Sequence, residues 1–239
     1  MKSRRTQSGL PKPARKKTKE MVFQTLRADI ISQKLKAGQA IREDELAQSF
    51  GMSRTPIREI LRKLEQEDLV RVIPNRGVFV SELTPEDIEE VLEIRTSIET
   101  AAARSAADKM TEQYLMELKD ISRQLDVAIE LQDSIVSFEA DSRLHNLILV
   151  AAGNKRAHRI INNLMGQIHR IRFISGHMPG RMETTIGEHK QIIMALLSMT
   201  ADQAEEAMRK PLVSTRELLL PSSDMDKKFE EFVRNSISL

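Results

Sequence analysis

A short turn, Gly51-Met52-Ser53, separates two amphipathic helical patterns and constrains the fold more than any other segment. Glycine readily adopts the left-handed conformation that ends a helix, and serine is a good N-cap for the next one. The pattern predicts helices over residues 43–50 and 54–67, and so short a connection makes them pack at a steep angle. This arrangement is typical of a helix-turn-helix.

The second of these helices has an apolar face and a basic face. Ile57, Leu61 and Leu64 form the apolar side. Long donors near the start of a recognition helix can reach guanine edges or phosphates in the major groove. The residues predicted to do so are Arg54, Thr55, Arg58 and Arg62. Any helix with a solvated basic face shows the same periodicity, so the DNA-binding interpretation depends on the flanking segments.

A helical pattern over residues 20–34 precedes this pair, and two β-branched runs, 70–73 and 78–80, follow it. The connection Pro74-Asn75-Arg76-Gly77 predicts a hairpin. Arg76 and Gly77 are expected at its tip, where a backbone can approach a groove or a phosphate. Residues 20–82 are therefore predicted to be a winged helix-turn-helix that binds double-stranded DNA.

The rest of the chain reads as helix. Thr84, Pro85 and Asp87 have the spacing of a capping box at a helix start. Six helices are expected before residue 221, with no strand among them and a loop at 176–180. Their predicted ranges are 85–108, 111–131, 134–152, 154–175, 182–199 and 201–219. The fold class is mainly α, with an all-α bundle over residues 83–221 behind the winged helix-turn-helix.

The two ends of the chain differ from its body. Residues 1–19 carry eight basic and no acidic side chains, which leaves 29 basic and 35 acidic residues for the remainder. Proline, serine and glycine in this stretch indicate a disordered arm, and its charge suits a contact with DNA phosphates. Residues 222–239 are predicted to be a loose tail.

Composition restricts the chemistry and the compartment. The 239 residues include no cysteine, which excludes disulfides, thiolate metal sites and a cysteine nucleophile, and suits a reducing cytosol. No apolar run approaches the roughly 18 residues that span a bilayer, and no signal peptide follows the basic start. We therefore expect a cytoplasmic protein that makes no membrane contact.

Four polar residues interrupt apolar helix faces in the second half: Arg95, Asp141, His145 and His189. Asp141 and His145 are one helical turn apart and point the same way. Polar groups buried without partners are costly, so these four need partners. Hydrogen bonds and an ion pair of Arg95 with a glutamate or with Asp141 would suffice. A shared hydrated metal site with Arg95 beside it, binding an anionic effector, would satisfy them equally well.

The helix-turn-helix residues resemble a known family. Ser53–Glu59, followed by Leu64-Glu65 and Asn75-Arg76-Gly77, is similar to the GntR family of bacterial regulators. The resemblance implies that Arg54, Thr55 and Arg58 contact an operator and that Gly77 is the wing glycine.

This chain departs from that family at two places. Ala37-Gly38 stands where many members have Pro-Gly, and Asp44 stands where some relatives have a DNA-contacting arginine. A DNA contact from position 44 is therefore not expected.

The second half resembles the FCD ligand-binding domain of the FadR subfamily. The matching segments are Leu92–Glu99, Asp141–His145, Ala151–Asn154 and Glu188-His189. The resemblance implies a helical bundle around a central cavity, which in many members holds a divalent metal through one aspartate and three histidines. Asp141, His145 and His189 would be the matching ligands here.

The family's third histidine falls at Pro211, which has no ligating side chain and interrupts the helical hydrogen bonds. A three-ligand site is therefore expected, with weaker binding than a four-ligand site. Two imidazoles and one carboxylate suit Zn, Ni, Mn or Fe. His158, His169 and His177 are spare candidates that we expect at the surface or in hydrogen bonds.

These features together predict a homodimeric regulator, by resemblance a repressor, that binds a palindromic operator and responds to an organic acid or sugar acid bound near the metal and Arg95. Two other interpretations remain. In the first, the helical half is a vestigial, metal-free domain that serves only for dimerisation, which Pro211 favours. A metal-dependent hydrolase or lyase would use the same three ligands, but the chain has neither a His-Glu-x-x-His motif nor a glycine-rich phosphate loop.

Overall fold

The computed structural model describes residues 18–220. The predicted tail over residues 222–239 lies outside this range, as does the predicted basic arm except for its last two residues. Lys19, assigned to the arm from the sequence, is already the first residue of a helix.

The first part of the chain forms a small unit with its own hydrophobic core, which we call the N-terminal unit (residues 19–80). Its helices are α1 (Lys19–Ile31), α2 (Glu43–Phe50) and α3 (Arg54–Gln66). Val22, Leu26 and Ile30 of α1 are buried in the same core cluster as Ile57 and Leu64 of α3. The apolar face predicted for α3 therefore packs against α1.

The turn between α2 and α3 has the expected geometry. Gly51 ends α2 at φ 64° and ψ 37°, in the left-handed region. Ser53 occupies the N-cap position of α3 with an extended backbone, although its hydroxyl accepts no hydrogen bond from the helix. The backbone conformation, rather than the serine side chain, thus starts the recognition helix.

A three-stranded sheet completes this unit, with the order β1-β3-β2. The predicted hairpin is present as β2 (Val70–Ile73) and β3 (Gly77–Val80), with Ile73 opposite Gly77. The first strand, β1 (Ala40–Ile41), pairs antiparallel with β3 and was missed from the sequence. Two residues are too few to show an alternating pattern, so only the pairing partner reveals this strand.

Seven helices form the second part, which we call the helical unit (residues 85–220). They are α4 (Pro85–Ala107), α5 (Glu112–Leu131), α6 (Ser134–Ala152), α7 (Lys155–Asn163), α8 (Met165–Gly176), α9 (Arg181–Leu197) and α10 (Ala201–Leu219). Thr84 and Asp87 form the capping box at the start of α4, as the sequence predicted. No strand occurs between residues 84 and 220, and none of the helices there or in the N-terminal unit has the apolar length that a bilayer crossing requires.

The prediction of one helix over residues 154–175 was wrong. The helix is interrupted at Leu164, between α7 and α8. This position follows two asparagines, which are poor helix formers. Two residues later Gly166 packs against the N-terminal unit, and a Cβ at this position would run into the backbone carbonyl of Glu67 and lie 2.8 Å from Leu69 Cγ. The second of the two helices, α8, is the one that contacts α1 of the N-terminal unit.

Pro211 lies inside α10, which remains helical from Ala201 to Leu219. Proline supplies no N–H, so the carbonyl one turn earlier loses its helical partner. Downstream, Thr215 Oγ1 donates a hydrogen bond to the carbonyl of Pro211 at 2.7 Å. The helix thus accommodates the proline at a buried position.

Candidate functional site

The predicted recognition helix α3 presents its basic face to solvent. Arg54, Thr55, Arg58 and Arg62 are all exposed, whereas Ile57, Ile60, Leu61 and Leu64 are buried. The arginines recur every fourth residue, so they share one side of the helix. Their guanidinium groups are therefore available to a ligand approaching from outside.

Two of these arginines pair with acidic residues of α2. Arg54 Nε lies 2.5 Å from Asp44 Oδ1, and Arg58 Nε donates to Glu43 Oε2 at 2.7 Å. Glu43 raises the pKa of Arg58 through this bond and its charge. Carboxylates at the start of α2 thus hold the recognition side chains against the preceding helix.

The hairpin tip carries the remaining predicted DNA contacts. Arg76 and Gly77 are both exposed, and Arg76 has no ion-pair partner among residues 18–220. Gly77 has φ 103° and Asn75 has φ 61°, a left-handed conformation that favours glycine and asparagine. Asn75 and Gly77 therefore suit the turn, and the exposed Arg76 between them suits the proposed DNA contact.

The helical unit brings together the three predicted metal ligands. Asp141 Oδ1 lies 3.2 Å from His145 Nε2 and 3.1 Å from His189 Nε2, and the two Nε2 atoms are 3.4 Å apart. All three residues are buried. Asp141 and His145 come from adjacent turns of α6, and His189 faces them from α9.

The spacing of these atoms fits one divalent ion. Nitrogen and oxygen ligands about 2.1 Å from a metal are separated by about 3.0–3.4 Å when their bonds subtend about 90–109°. The donor set of two imidazoles and one carboxylate is also one that such ions accept. The three side chains therefore fit a divalent metal ion, which they would bind from one side.

Glu99 fixes the orientation of His145. Its carboxylate accepts a hydrogen bond from His145 Nδ1 and a second one, at 2.7 Å, from Arg95 Nε. Burial alone would raise the pKa of Glu99, but Arg95 and His145 outweigh it and hold that pKa below its usual range. Because Nδ1 carries the proton that Glu99 accepts, a neutral His145 presents the lone pair of Nε2 toward Asp141 and His189.

Asp141 is held ionised in the same way. Its Oδ2 lies 2.9 Å from Arg172 Nε, which leaves Oδ1 for the histidines. Burial raises the pKa of Asp141, but Arg172, His189 and His145 outweigh burial and keep it well below its usual range. A carboxylate that remains charged at this depth is ready to bind a cation.

His189 is held neutral. Burial lowers its pKa to about 3, although the charge of Asp141 opposes the shift. Its Nδ1 is buried and has no hydrogen-bond partner among the described residues. A neutral imidazole is the form that ligates a metal.

The three residues line a cavity of about 550 Å³, a volume within the range of small-molecule sites. Its walls come from α1 of the N-terminal unit and from α4, α6, α8, α9 and α10. Arg95 lines it too, but its Nε and Nη2 bond to Glu99, which matches the ion-pair alternative considered from the sequence. Its Nη1 makes no hydrogen bond within residues 18–220.

Comparison with known proteins matches both units. Residues 18–80 match the bacterial regulatory proteins of the gntR family, and residues 90–213 match the FCD domain. The HTH-type transcriptional repressor RspR of Escherichia coli K12 is 30% identical over 209 residues, which cover 86% of this chain and 92% of RspR. The chain belongs to the GntR family. It is a DNA-binding transcriptional regulator with a GntR helix-turn-helix and an FCD domain.

Other relatives of this GntR regulator agree. The uncharacterised regulator YdhC of Bacillus subtilis is 27% identical, covering 77% of this chain and 83% of YdhC. Among solved structures, E. coli McbR/YncC has a TM-score of 0.69 at 21% identity and covers 84% of this chain and 97% of its own. A GntR regulator from Rhodococcus sp. RHA1 has a TM-score of 0.70 at 20% identity, with 85% and 98% coverage. These structures establish the same two-part fold.

The structure adds polar residues of the GntR regulator's cavity that sequence reasoning missed. Arg181 is buried, and its Nη1 and Nη2 donate to the hydroxyls of Ser214 and Thr215 at 2.6 and 3.0 Å. Its Nη2 is also 3.4 Å from Glu188 Oε2, and its Nε has no hydrogen-bond partner among the described residues. Arg172, Arg181 and Arg27 all line the cavity. A buried arginine on an apolar helix face was a usable signal, since Arg95 had been identified by it.

The spare histidines lie outside the triad. His158 bonds to Asn146 at 3.1 Å at the surface, and His177 Nδ1 contacts the carbonyl of Phe173 at 2.7 Å. His169 lies in the cavity wall against Arg27. None of them joins the Asp141 cluster among residues 18–220.

Proposed function

We propose that this chain is a homodimeric, metabolite-responsive repressor whose helical cavity holds a divalent metal and an organic acid or sugar acid. The convergence of three ligand atoms in a cavity shared by both units carries the proposal. We divide the chain into a DNA-binding domain over residues 20–82 and an effector and dimerisation domain over residues 83–221. The repressor role is supported by the similarity to RspR, which is named a repressor.

Asp141, His145 and His189 would hold the metal, with Glu99 and Arg172 orienting the first two of them. The bound ion would supply a positive charge that an effector oxygen could reach. Pro211 lines the cavity without offering a ligand, so one side of the ion would be left to water or effector. Zn, Ni, Mn and Fe are all compatible with these donors, and affinity should be lower than at a four-ligand site.

An acidic effector follows from the charges of the cavity. Four arginines line it, namely Arg27, Arg95, Arg172 and Arg181. Each has a carboxylate partner, so the charges of these protein groups cancel. The partners are, in the same order, Glu67, Glu99, Asp141 and Glu188. A divalent metal adds uncompensated positive charge, which carboxylates of an organic acid would offset. Arg95 Nη1 is the donor we assign to it.

For DNA, we propose that Arg54, Thr55 and Arg58 read base edges while Arg62, Arg76 and Gly77 contact the backbone. A homodimer places two such helices about one helical turn apart along the duplex. The operator is therefore expected to be palindromic.

The metal and the effector are tested on purified, metal-loaded protein. We expect one divalent ion per chain by elemental analysis, and loss of at least about 100-fold in Ni²⁺ or Zn²⁺ affinity for His189→Ala. His158→Ala is the matched control, because it removes a surface imidazole. Organic and sugar acids are then screened by thermal shift, and hits are scored by release of an operator obtained by selection from random duplexes.

A vestigial, metal-free helical domain is the second candidate, and Pro211 in the cavity wall favours it. On that hypothesis neither metal nor any acid stabilises the protein, while operator binding remains. Failure of both binding assays with intact operator affinity would thus replace the sensor with a constitutive DNA-binding dimer.

A further inference from the structure

The N-terminal unit forms part of the effector cavity. Helix α1 contributes Gln24, Arg27, Ala28 and Ile31 to its lining, and the other walls belong to the helical unit. A molecule in the cavity therefore touches the DNA-binding part of the chain directly. No relay through the bundle is needed for the two to interact.

Arg27 is the charged residue at this wall. Its Nε donates to Glu67 Oε2 at 2.6 Å, and its Nη1 contacts His169 Nδ1 at 2.9 Å. The side chains of Arg27 and Glu67 are only 14% and 21% exposed. One guanidinium thus joins α1, the end of α3 and α8 of the helical unit.

His169 is a weak partner for that guanidinium. Burial lowers its pKa to about 3, with Arg172 and Arg27 adding to the shift, so the ring is neutral near pH 7. Because Arg27 can only donate, His169 Nδ1 accepts and the proton lies on Nε2, which is buried without a partner. A carboxylate accepts such a bond more strongly than a neutral imidazole does.

The two units also pack closely at the same place. Gly166, one turn before His169 on α8, lies against the backbone of Glu67 with no room for a Cβ. Arg170 is buried beside it, and its Nη1 contacts the carbonyl of Glu82 at 3.4 Å. A change in the Arg27–His169 contact would therefore act on the main contact between the DNA-binding unit and the helical unit.

We propose that Arg27 senses the occupant of the cavity. A carboxylate of an anionic effector takes the Nη1 hydrogen bond from His169, while Arg27 Nε stays on Glu67, and the docking of α1 on α8 changes. Coupling requires that the effector bind the two arrangements with different affinity, and the exchange of a neutral acceptor for a charged one supplies that difference. This inference rests on the proposed function of the cavity as an effector site.

The test uses the full chain, Zn²⁺-loaded, with a fluorescent operator duplex and citrate and D-gluconate as probes. In wild type we expect one of these acids to change operator Kd by at least about fivefold. Arg27→Gln should bind the acid but show a change in operator Kd below about twofold. Arg27→Lys should also lose most of the response, because an ammonium does not reproduce the two-armed contact, and it replaces Arg27→Gln if that variant does not fold.

Glu67→Gln is the matched control. It removes the same ion pair but keeps the Arg27 guanidinium at the cavity, so its response should equal or exceed that of wild type. Equal losses in Glu67→Gln and Arg27→Gln would overturn the proposal, because the ion pair would then matter only for structure. A full response in Arg27→Gln would overturn it as well, with the proposed function intact. A wild type that neither binds nor responds to any acid of the thermal-shift screen would instead reject the acid effector itself, and the sensor with it.

Discussion

The proposed DNA-binding surface and the cavity contain the same kind of arginine–carboxylate pair, in opposite surroundings. In Arg54–Asp44 the side chains are 65% and 64% exposed, whereas in Arg95–Glu99 they are 4% and 2% exposed. Exposed pairs contribute little to stability and can be exchanged for other partners. Buried pairs are costly to break, since the remaining charge is left without compensation. The first region is therefore suited to exchange its partners, and the second to hold a fixed geometry.

The largest effect on stability is expected when the buried pair is broken. Glu99→Ala should lower the free energy of unfolding by about 3–5 kcal/mol, because Arg95 is left buried and unpaired and His145 loses its acceptor. The measurement is urea unfolding of the metal-free protein followed by circular dichroism.

The control for this variant is Glu89→Ala, which breaks the exposed pair with Arg216. Its unfolding curve should lie close to that of wild type. If the two variants were equally stable, burial would not distinguish the two classes of pair.

Breaking the DNA-binding face should affect binding and leave stability alone. Arg58→Ala should weaken specific operator affinity by about 10- to 100-fold, because a base or phosphate contact is lost, with no shift in the unfolding curve. Fluorescence anisotropy at fixed salt measures this. Arg123→Ala on α5 removes another exposed arginine with an acidic partner, and serves as the charge-matched control. Equal operator affinity in the two variants would contradict the assignment of α3.

The sequence predicted most of the fold because its signals were local. Gly51 and the Thr84 capping box mark element ends through backbone conformation, and the apolar stripes place each helix face. The failures were non-local. Strand β1 exists because β3 is beside it, and the break at Leu164 accompanies the packing of Gly166 on Glu67. Neither partner can be read from the segment itself.

Prediction of the cavity residues from the sequence was limited in the same way. Asp141, His145 and His189 were identified because polar residues on apolar stripes stand out, and the structure brings them within ligand distance. Arg95 was assigned to the effector, while its i+4 neighbour Glu99 takes two of its nitrogens. The contribution of α1 to the wall could not be predicted, because it depends on how the two units pack.

A smaller effect concerns the buried imidazole of His169, which lies where the N-terminal unit and the helical unit meet. The pKa of His169 in the folded protein is about 3, below its ordinary value of 6.5. As the pH falls, the unfolded chain therefore binds a proton at this ring before the folded chain does. Its contribution to stability is therefore complete above pH 6.5 and is lost as the pH falls toward 3. His169→Gln should make the pH dependence of unfolding shallower by about 1 kcal/mol per pH unit between pH 6.5 and 5. Parallel curves would show that the ring is solvated in the folded state.

The smallest effect concerns the exposed pair itself. Asp44→Asn keeps the side-chain shape but frees Arg54 from its carboxylate partner, and it removes a negative charge from the surface proposed to face DNA. Affinity for non-specific duplex should rise by about two- to fivefold at low salt, and the gain should shrink as salt increases. Asp202→Asn, which breaks an exposed pair in the helical unit, should leave DNA binding unchanged. A fall in operator specificity with Asp44→Asn would mean that the carboxylate positions Arg54 for its base, and that exposure alone does not make a pair exchangeable.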